Sequence, residues 1–175
     1  MELLSGNVRL RPLQLSDAEQ IVPLANNKKV SRNLRDGFPH PYTKADGDIF
    51  LSKFADQDPT HFFAIEYQGV YVGNISLVHG RDVYRQSAEI GYFIGEPYWN
   101  KGIVTTAVNL ICDYGFRQLG IVRIHTGVFE YNTASMRVLE KCGFIKEGIF
   151  RKSVTKQGKI WDEVRFAKIN PEFEG

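Results

Sequence analysis

Trp99-Asn100-Lys101-Gly102 joins an apolar run ending in Tyr92-Phe93-Ile94 to a helical pattern that begins near Ile103, and Gly95-Glu96-Pro97 breaks the run first. The first turn of a helix leaves backbone N–H groups without intrahelical partners, and the aligned peptide dipoles place partial positive charge there. An anion is the natural guest, a phosphate above all. Gly102 has no Cβ to hold a phosphate away. Lys101 adds positive charge, and Thr105 and Thr106 stand where Asp or Glu is usual. Neither G-x-x-x-x-G-K-S/T nor G-x-G-x-x-G is present. One glycine and one lysine between strand and helix also make an ordinary connector, and the stretch by itself leaves both readings open.

The strand before it carries a carboxylate whose parity matters. Ser87, Glu89, Gly91 and Phe93 share one face, and Ala88, Ile90, Tyr92 and Ile94 the other, so Glu89 stands opposite the more apolar row. An exposed strand glutamate that merely solvates the sheet fits the same pattern. Asn132 is a good N-cap for a helix from Thr133 to Lys141, and Gly143 stops that helix. Lys141 decorates its end. Cys112 and Cys142 match no C-x-x-C pattern and read as buried thiols of a reducing compartment. No histidine stands beside Cys142 as an acyl-carrying nucleophile would need. His40, His61, His79 and His125 show no metal-ligand spacing, and no metal is expected.

The elements that must position these residues follow from patterning. The 175 residues suit a single domain, 1–175, with a real core. The net charge of +2 and the absence of a dense basic run point away from nucleic acid. No stretch approaches membrane-spanning length or forms a leader, so no membrane partner is expected and the cytoplasm is the expected location. Val8 to Arg11 alternates as a strand and Pro12 ends it; Ser16-Asp17-Ala18-Glu19 is a capping-box pattern for a helix to about Asn26. Thr43 caps the next helix, which ends by Asp58-Pro59. Between them, Gly37-Phe38-Pro39-His40-Pro41-Tyr42 is irregular and either covers a pocket or plugs the core. Strands His61–Tyr67 and Val70–Val78 meet at Gln68-Gly69. After strand Gln86–Ile94, the helix from Ile103 carries Val104, Val108, Ile111 and Gly115 in one stripe. Arg123–Val128 and a hairpin around Gln157-Gly158, within Phe144–Ile169, complete the order β-α-α-β-β-β-α-β-α-β-β. A mixed, mostly antiparallel sheet with helices on both faces follows, the Glu89 and Arg123 strands being parallel across a crossover helix.

Three segments in this order resemble the GNAT superfamily of acetyl-CoA-dependent N-acetyltransferases: Glu89-Ile90-Gly91-Tyr92, Tyr98 to Thr105, and Asn132 to Phe144. Val8 to Pro12 and Phe38 to Thr43 are similar to its RimJ/RimL-like branch. The resemblance spans nearly the whole chain and implies a GNAT-like α/β fold. It also implies that Asn100, Lys101, Gly102, Ile103, Val104 and Thr105 hold the pyrophosphate of acetyl-CoA. The backbone at Phe93 and Ile94 would pair with the pantetheine arm, with Asn132 and Ser135 near the thiol. Asn100 and Val104 replace the family's usual glycine and alanine, and Leu139 stands where many relatives place an acidic tyrosine, which leaves Ser135 as the general acid.

By the same resemblance Glu89 is the general base, and an N–H near Phe93 or Ile94 serves the oxyanion. Arg35, Phe38, His40 and Tyr42, with the hairpin near Lys156, would line the acceptor site. The acceptor is expected to be a peptide or protein α-amine. A small amine (polyamine, amino acid or aminoglycoside) is the alternative, and a non-catalytic acyl-CoA sensor is a reading of another class. The oligomeric state stays open, a homodimer included.

Overall fold

The computed structural model describes residues 1–55 and 57–173. Its elements, in chain order, are β1 (Leu3–Ser5), β2 (Val8–Pro12), α1 (Ala18–Ala25), α2 (Lys28–Ser31), α3 (Lys44–Phe54), β3 (Phe62–Tyr67), β4 (Val70–His79), β5 (Ser87–Ile94), α4 (Ile103–Arg117), β6 (Arg123–Phe129), α5 (Thr133–Lys141), β7 (Ile145–Lys156) and β8 (Lys159–Ile169). The eight strands form one sheet in the order β1-β2-β3-β4-β5-β6-β8-β7. Every neighbouring pair is antiparallel except β5 with β6, which α4 joins as a crossover.

Period-two alternation gives the sheet two buried faces. Leu10, Phe63, Ile75, Ile90, Ile124 and Phe166 pack with Ala107, Val108 and Ile111 of α4 and Leu139 of α5. On the other face, Ala64, Tyr71 and Phe93 pack with Ile21 of α1, Val30 of α2 and Leu51 of α3. Strands facing apolar layers on both sides bury nearly every residue, as β3 and β4 do. The helices thus hold β5 from both sides, and that strand carries the candidate chemistry.

Most expected elements are present, with three corrections. Leu3–Ser5 is a strand, paired through Leu3↔Leu10, where none is expected. Asn27 caps the one-turn helix α2 by accepting from the Lys29 N–H at 2.8 Å. Ser16 does not cap the first helix: the chain makes a 3-10 turn over Leu15–Asp17, and Asp17 accepts from the Gln14 N–H at 2.8 Å. Asp17 is instead drawn inward by the buried Arg11 guanidinium, at 2.7 Å and 2.9 Å. The β7–β8 hairpin turns at Gln157-Gly158, both at positive φ. Its register shifts between Lys146 and Gly148 and again between Phe150 and Val154. Such irregularities bend a strand, and the tip reaches Asp36, which Lys156 Nζ contacts at 2.7 Å.

Candidate active site

β5 and β6 are paired only over Ser87↔Arg123, Ala88↔Ile124 and Glu89↔His125. Beyond Glu89 each strand keeps its outer partner, β4 on one side and β8 on the other, and the two part. The backbone groups of β5 take sides by parity. The Gln86 carbonyl accepts from Val122 and Arg123 at the β6 edge, whereas Gly95 N–H donates to Val72 of β4. Even positions therefore turn N–H and C=O toward β6, and odd positions toward β4. Of the two expected backbone residues, Ile94 faces the gap and Phe93 does not. Trp99 Nε1 donates to the Ile94 carbonyl at 2.9 Å and ties the following turn to the gap's end.

That turn delivers the N-terminus of α4. Asn100 and Gly102 are both left-handed, at φ +60° and +74°. Gly102 is the N-cap, no side chain caps the helix, and its first turn holds no acid. Thr106 N–H already bonds the Gly102 carbonyl at 3.1 Å, so the N–H groups of Ile103, Val104 and Thr105 are the ones the helix leaves over. A Cβ at Gly102 would meet nothing within 4 Å, so the space beside it is open. Lys101 Nζ lies 5.4 Å from the centre of the Tyr98 ring. Ile103 is buried and Val104 half-buried against the core, while Thr105 offers its carbonyl to Cys142 Sγ at 3.5 Å.

Glu89 stands on the α1–α3 face, where Arg35 from the loop after α2 holds its carboxylate with two donors, one at 3.2 Å. A cleft of about 340 Å³ beside it is lined by Arg81, Tyr84, Ser87 and His125, among others. His125 Nδ1 is 3.2 Å from Arg165 Nη2. A guanidinium only donates, so Nδ1 accepts and the neutral ring carries its proton on Nε2. Burial, then the Arg165 charge, holds this imidazole below its ordinary value, which keeps it neutral at pH 7. Glu163 of β8 leans over Gly127 of β6 and is paired with Arg165 at 3.0 Å.

The loop after α2 is pinned by more than Arg35. Tyr131 donates to the Arg32 carbonyl, Arg32 lies over the Tyr131 ring at 5.1 Å, and Lys156 holds Asp36. The expected acceptor residues separate here. Arg35 reaches Glu89. Phe38 is half-buried and packs edge-on against Phe93 at 5.1 Å, leaving part of its ring exposed, whereas Tyr42 is buried at 5 % exposure and is a core plug. The acceptor-site expectation for Tyr42 is corrected on that ground: two prolines fold the loop inward and its ring fills space over α3. His40 is exposed and has no side-chain hydrogen bond or ion pair among the described residues.

On the opposite face, Asn132 caps α5 by accepting from Ser135 N–H at 3.3 Å. The Ser135 hydroxyl lies 2.7 Å from that of Tyr92. Tyr92, His125, Glu163 and Gly127 stand beside these residues, and sequence reasoning did not single them out. A hydroxyl on the apolar row of β5 was the signal for Tyr92 and a glycine inside a strand the signal for Gly127; nothing local marked His125 or Glu163.

A profile described as "Acetyltransferase (GNAT) domain" matches residues 7–145. The chain belongs to the GNAT acetyltransferases. It is an acyltransferase, and enzymes of this family use acetyl-CoA. It is 34% identical over 174 residues to the probable N-acetyltransferase YjcK of Bacillus subtilis (strain 168), covering 95% of this chain and 96% of that one. It is 32% identical over 169 residues to spermidine N(1)-acetyltransferase of Escherichia coli (strain K12), covering 95% and 88%. The solved structure of RimL, a ribosomal L7/L12 alpha-N-protein acetyltransferase in complex with coenzyme A, superposes with a TM-score of 0.82 over 97% of this chain and 98% of that one; at 20% identity the likeness is one of fold.

Proposed function

We propose that this GNAT enzyme transfers the acetyl group of acetyl-CoA by direct attack of a primary amine, the α-amine of a peptide or protein N-terminus. The position of Glu89 carries the reading: its carboxylate stands on the α1–α3 face at the last paired residue of β5, where the strand leaves β6. An amine entering from that face meets a base before it meets the gap. An α-amine with a pKa near 8 is about one-tenth neutral at pH 7, while a lysine-type amine offers roughly one part in two thousand. Glu89, directly or through a water, takes the remaining proton.

The chain's own groups fit the thioester cosubstrate. Open space at Gly102 and three uncommitted N–H groups at Ile103 to Thr105, with Asn100 and Lys101 alongside, suit a diphosphate. The even-parity backbone of β5 suits an extended amide-bearing arm laid in as an added strand. When bound, the cosubstrate supplies an activated acyl carbon. The gap-facing N–H groups of β5, Ile94 among them, would then be the donors available to its carbonyl oxygen, a kind of contact that contributes up to about 3 kcal/mol in acyl transfer. Asn132 orients the first turn of α5, and Ser135 would present its hydroxyl to the sulfur.

Charge on the acceptor face favours a peptide. Arg35, Arg81 and Arg165 surround Glu89 and Glu163. A polycation meets those guanidiniums as like charges, whereas a peptide brings one ammonium followed by carbonyl oxygens they can bind. The relationship to spermidine acetyltransferase supports a polyamine acceptor as the second reading. The two buried free thiols, Cys112 and Cys142, suit work in the reducing cytoplasm.

Thiol release from acetyl-CoA, measured with free and N-blocked peptides, spermidine and aminoglycosides, tests this. Free peptides are expected to give the highest kcat/KM and blocked ones none. A preference for spermidine transfers the conclusion to the second reading, and no thiol release with any amine overturns both.

A further inference from the structure

Tyr92 and Ser135 join two elements that meet at the gap between β5 and β6. Tyr92 lies on the half of β5 that has lost its β6 partner, on the row facing α4 and α5. Ser135 lies in the first turn of α5 with its backbone fixed by Asn132. Their hydroxyl oxygens are 2.7 Å apart, and either can donate. One turn further along α5, at the position on the same side of the helix, Leu139 is fully buried and apolar. The helix therefore offers no phenol of its own to the gap; the neighbouring strand does. Burial pushes the Tyr92 phenol up to about 12, against the opposing effect of the Ser135 hydrogen bond. It thus stays protonated through the neutral range, while a phenol remains a stronger acid than an aliphatic alcohol.

We propose that Tyr92 positions and replenishes Ser135 as the proton donor to the departing thiolate. The inference rests on the acetyl-transfer reading above. The amine nitrogen bonds to the thioester carbon, the C–S bond breaks, and its electron pair stays on sulfur. Ser135 gives its hydroxyl proton to sulfur and takes the Tyr92 proton in its place. The phenolate regains a proton from solvent, and the one released by the amine leaves through Glu89, so protons balance and nothing is oxidised or reduced. Tyr92 fixes the direction of the Ser135 hydrogen as well: donating to Oγ leaves the serine hydrogen free to face the sulfur. It is a positioning residue, and Ser135 is the one that touches the reacting atoms.

The test is a cycle of Tyr92→Phe, Ser135→Ala and the double variant, with acetyl-CoA and the best amine of the panel. Ser135→Ala is expected to lower kcat about 100-fold, within the usual worth of a general acid, and Tyr92→Phe about tenfold. KM for acetyl-CoA should stay within about twofold in each, because the groups proposed to hold the diphosphate and the pantetheine arm are untouched. The double variant should be no slower than Ser135→Ala, since Tyr92 acts through it. Ser135→Thr should recover most of the rate with Tyr92 present and little of it in Tyr92→Phe. An unchanged kcat in Tyr92→Phe, a loss confined to KM, or fully additive losses would overturn the inference. Should Tyr92→Phe fold poorly, 3-fluorotyrosine at position 92, a more acidic phenol, replaces it: a kcat that moves away from wild type with KM for acetyl-CoA held supports the relay, and a kcat equal to wild type refutes it. Wild-type turnover decides the acetyl-transfer reading separately, so the two failures are distinguishable.

Discussion

The Glu163 carboxylate lies over Gly127, so close that a Cβ on Gly127 would come within 2.1 Å of Oε1. Gly127 sits two residues beyond His125, and Gly91 two beyond Glu89, so on the α1–α3 face both strands are bare where they part. Two carboxylates, each paired with one arginine, flank that opening. The atoms a Cβ would strike, in Glu163 and Arg165, are side-chain ends, so Gly127→Ala should move them with less than about 1 kcal/mol lost. We expect acceptor kcat/KM to fall about tenfold, with CoA affinity by calorimetry unchanged and Glu163→Gln giving the same pattern. An acceptor KM and kcat equal to wild type in both variants would remove Glu163 from the acceptor site.

Glu89→Gln separates a base from a surface glutamate. The neutral share of the amine falls tenfold for each pH unit below its pKa, so removal of the base should hurt most in acid. Expected losses in kcat/KM are about 100-fold at pH 6.5 and about tenfold at pH 8.5, within the range for general bases. A pH–rate profile of unchanged shape, merely scaled down, would refute the assignment.

Much of this site was legible because it is local. The parity of Glu89, the Asn132 cap and the Gly102 junction each follow from residues within a turn or strand of one another, and each sits where its pattern puts it. The rest depended on long-range contacts. Ser135 meets Tyr92 across 43 positions, and Lys156 meets Asp36 across 120. Nothing in either local pattern announces such a partner. Ser16 misled because its capping-box pattern competes with Asp17, whose carboxylate is claimed by Arg11 from β2. Tyr42 misled because aromatic residues in a proline-rich loop fit a pocket wall and a core plug equally until the loop's path is known.

Gly102→Val probes the cosubstrate end alone. Its φ of +74° costs a residue with a Cβ about 1–2 kcal/mol, and the added methyls enter the open space where the diphosphate is proposed to sit. CoA affinity should drop at least about tenfold while the acceptor KM stays within about twofold. Lys101→Ala, which alters charge and not backbone, should weaken CoA about threefold. Equal losses for cosubstrate and acceptor in Gly102→Val would count against the proposed place of the phosphates.

Glu66 supplies a prediction about stability. Its buried carboxylate accepts from Arg11 Nε at 2.6 Å and from Arg9 Nε at 2.7 Å, and Arg11 also holds the buried Asp17. Burial alone would raise the Glu66 carboxyl; the two guanidiniums outweigh it and hold the group below its ordinary value of 4.5. The unfolded chain therefore binds the proton more readily, and this contribution is present above about pH 4.5 and lost as the pH falls through the lower folded value. Breaking a buried pair from one side costs about 3–5 kcal/mol. Glu66→Gln keeps the shape, so we expect about 3 kcal/mol and a Tm lower by roughly 6–12 °C at pH 7. The difference from wild type should shrink below pH 4. His61, held below its ordinary value by burial and by His79, also weakens the fold as the pH drops from about 6.5. That effect is common to both proteins and cancels in the comparison. A Tm difference that stays constant from pH 7 to pH 3 would show that the Glu66 charge is not what the network depends on.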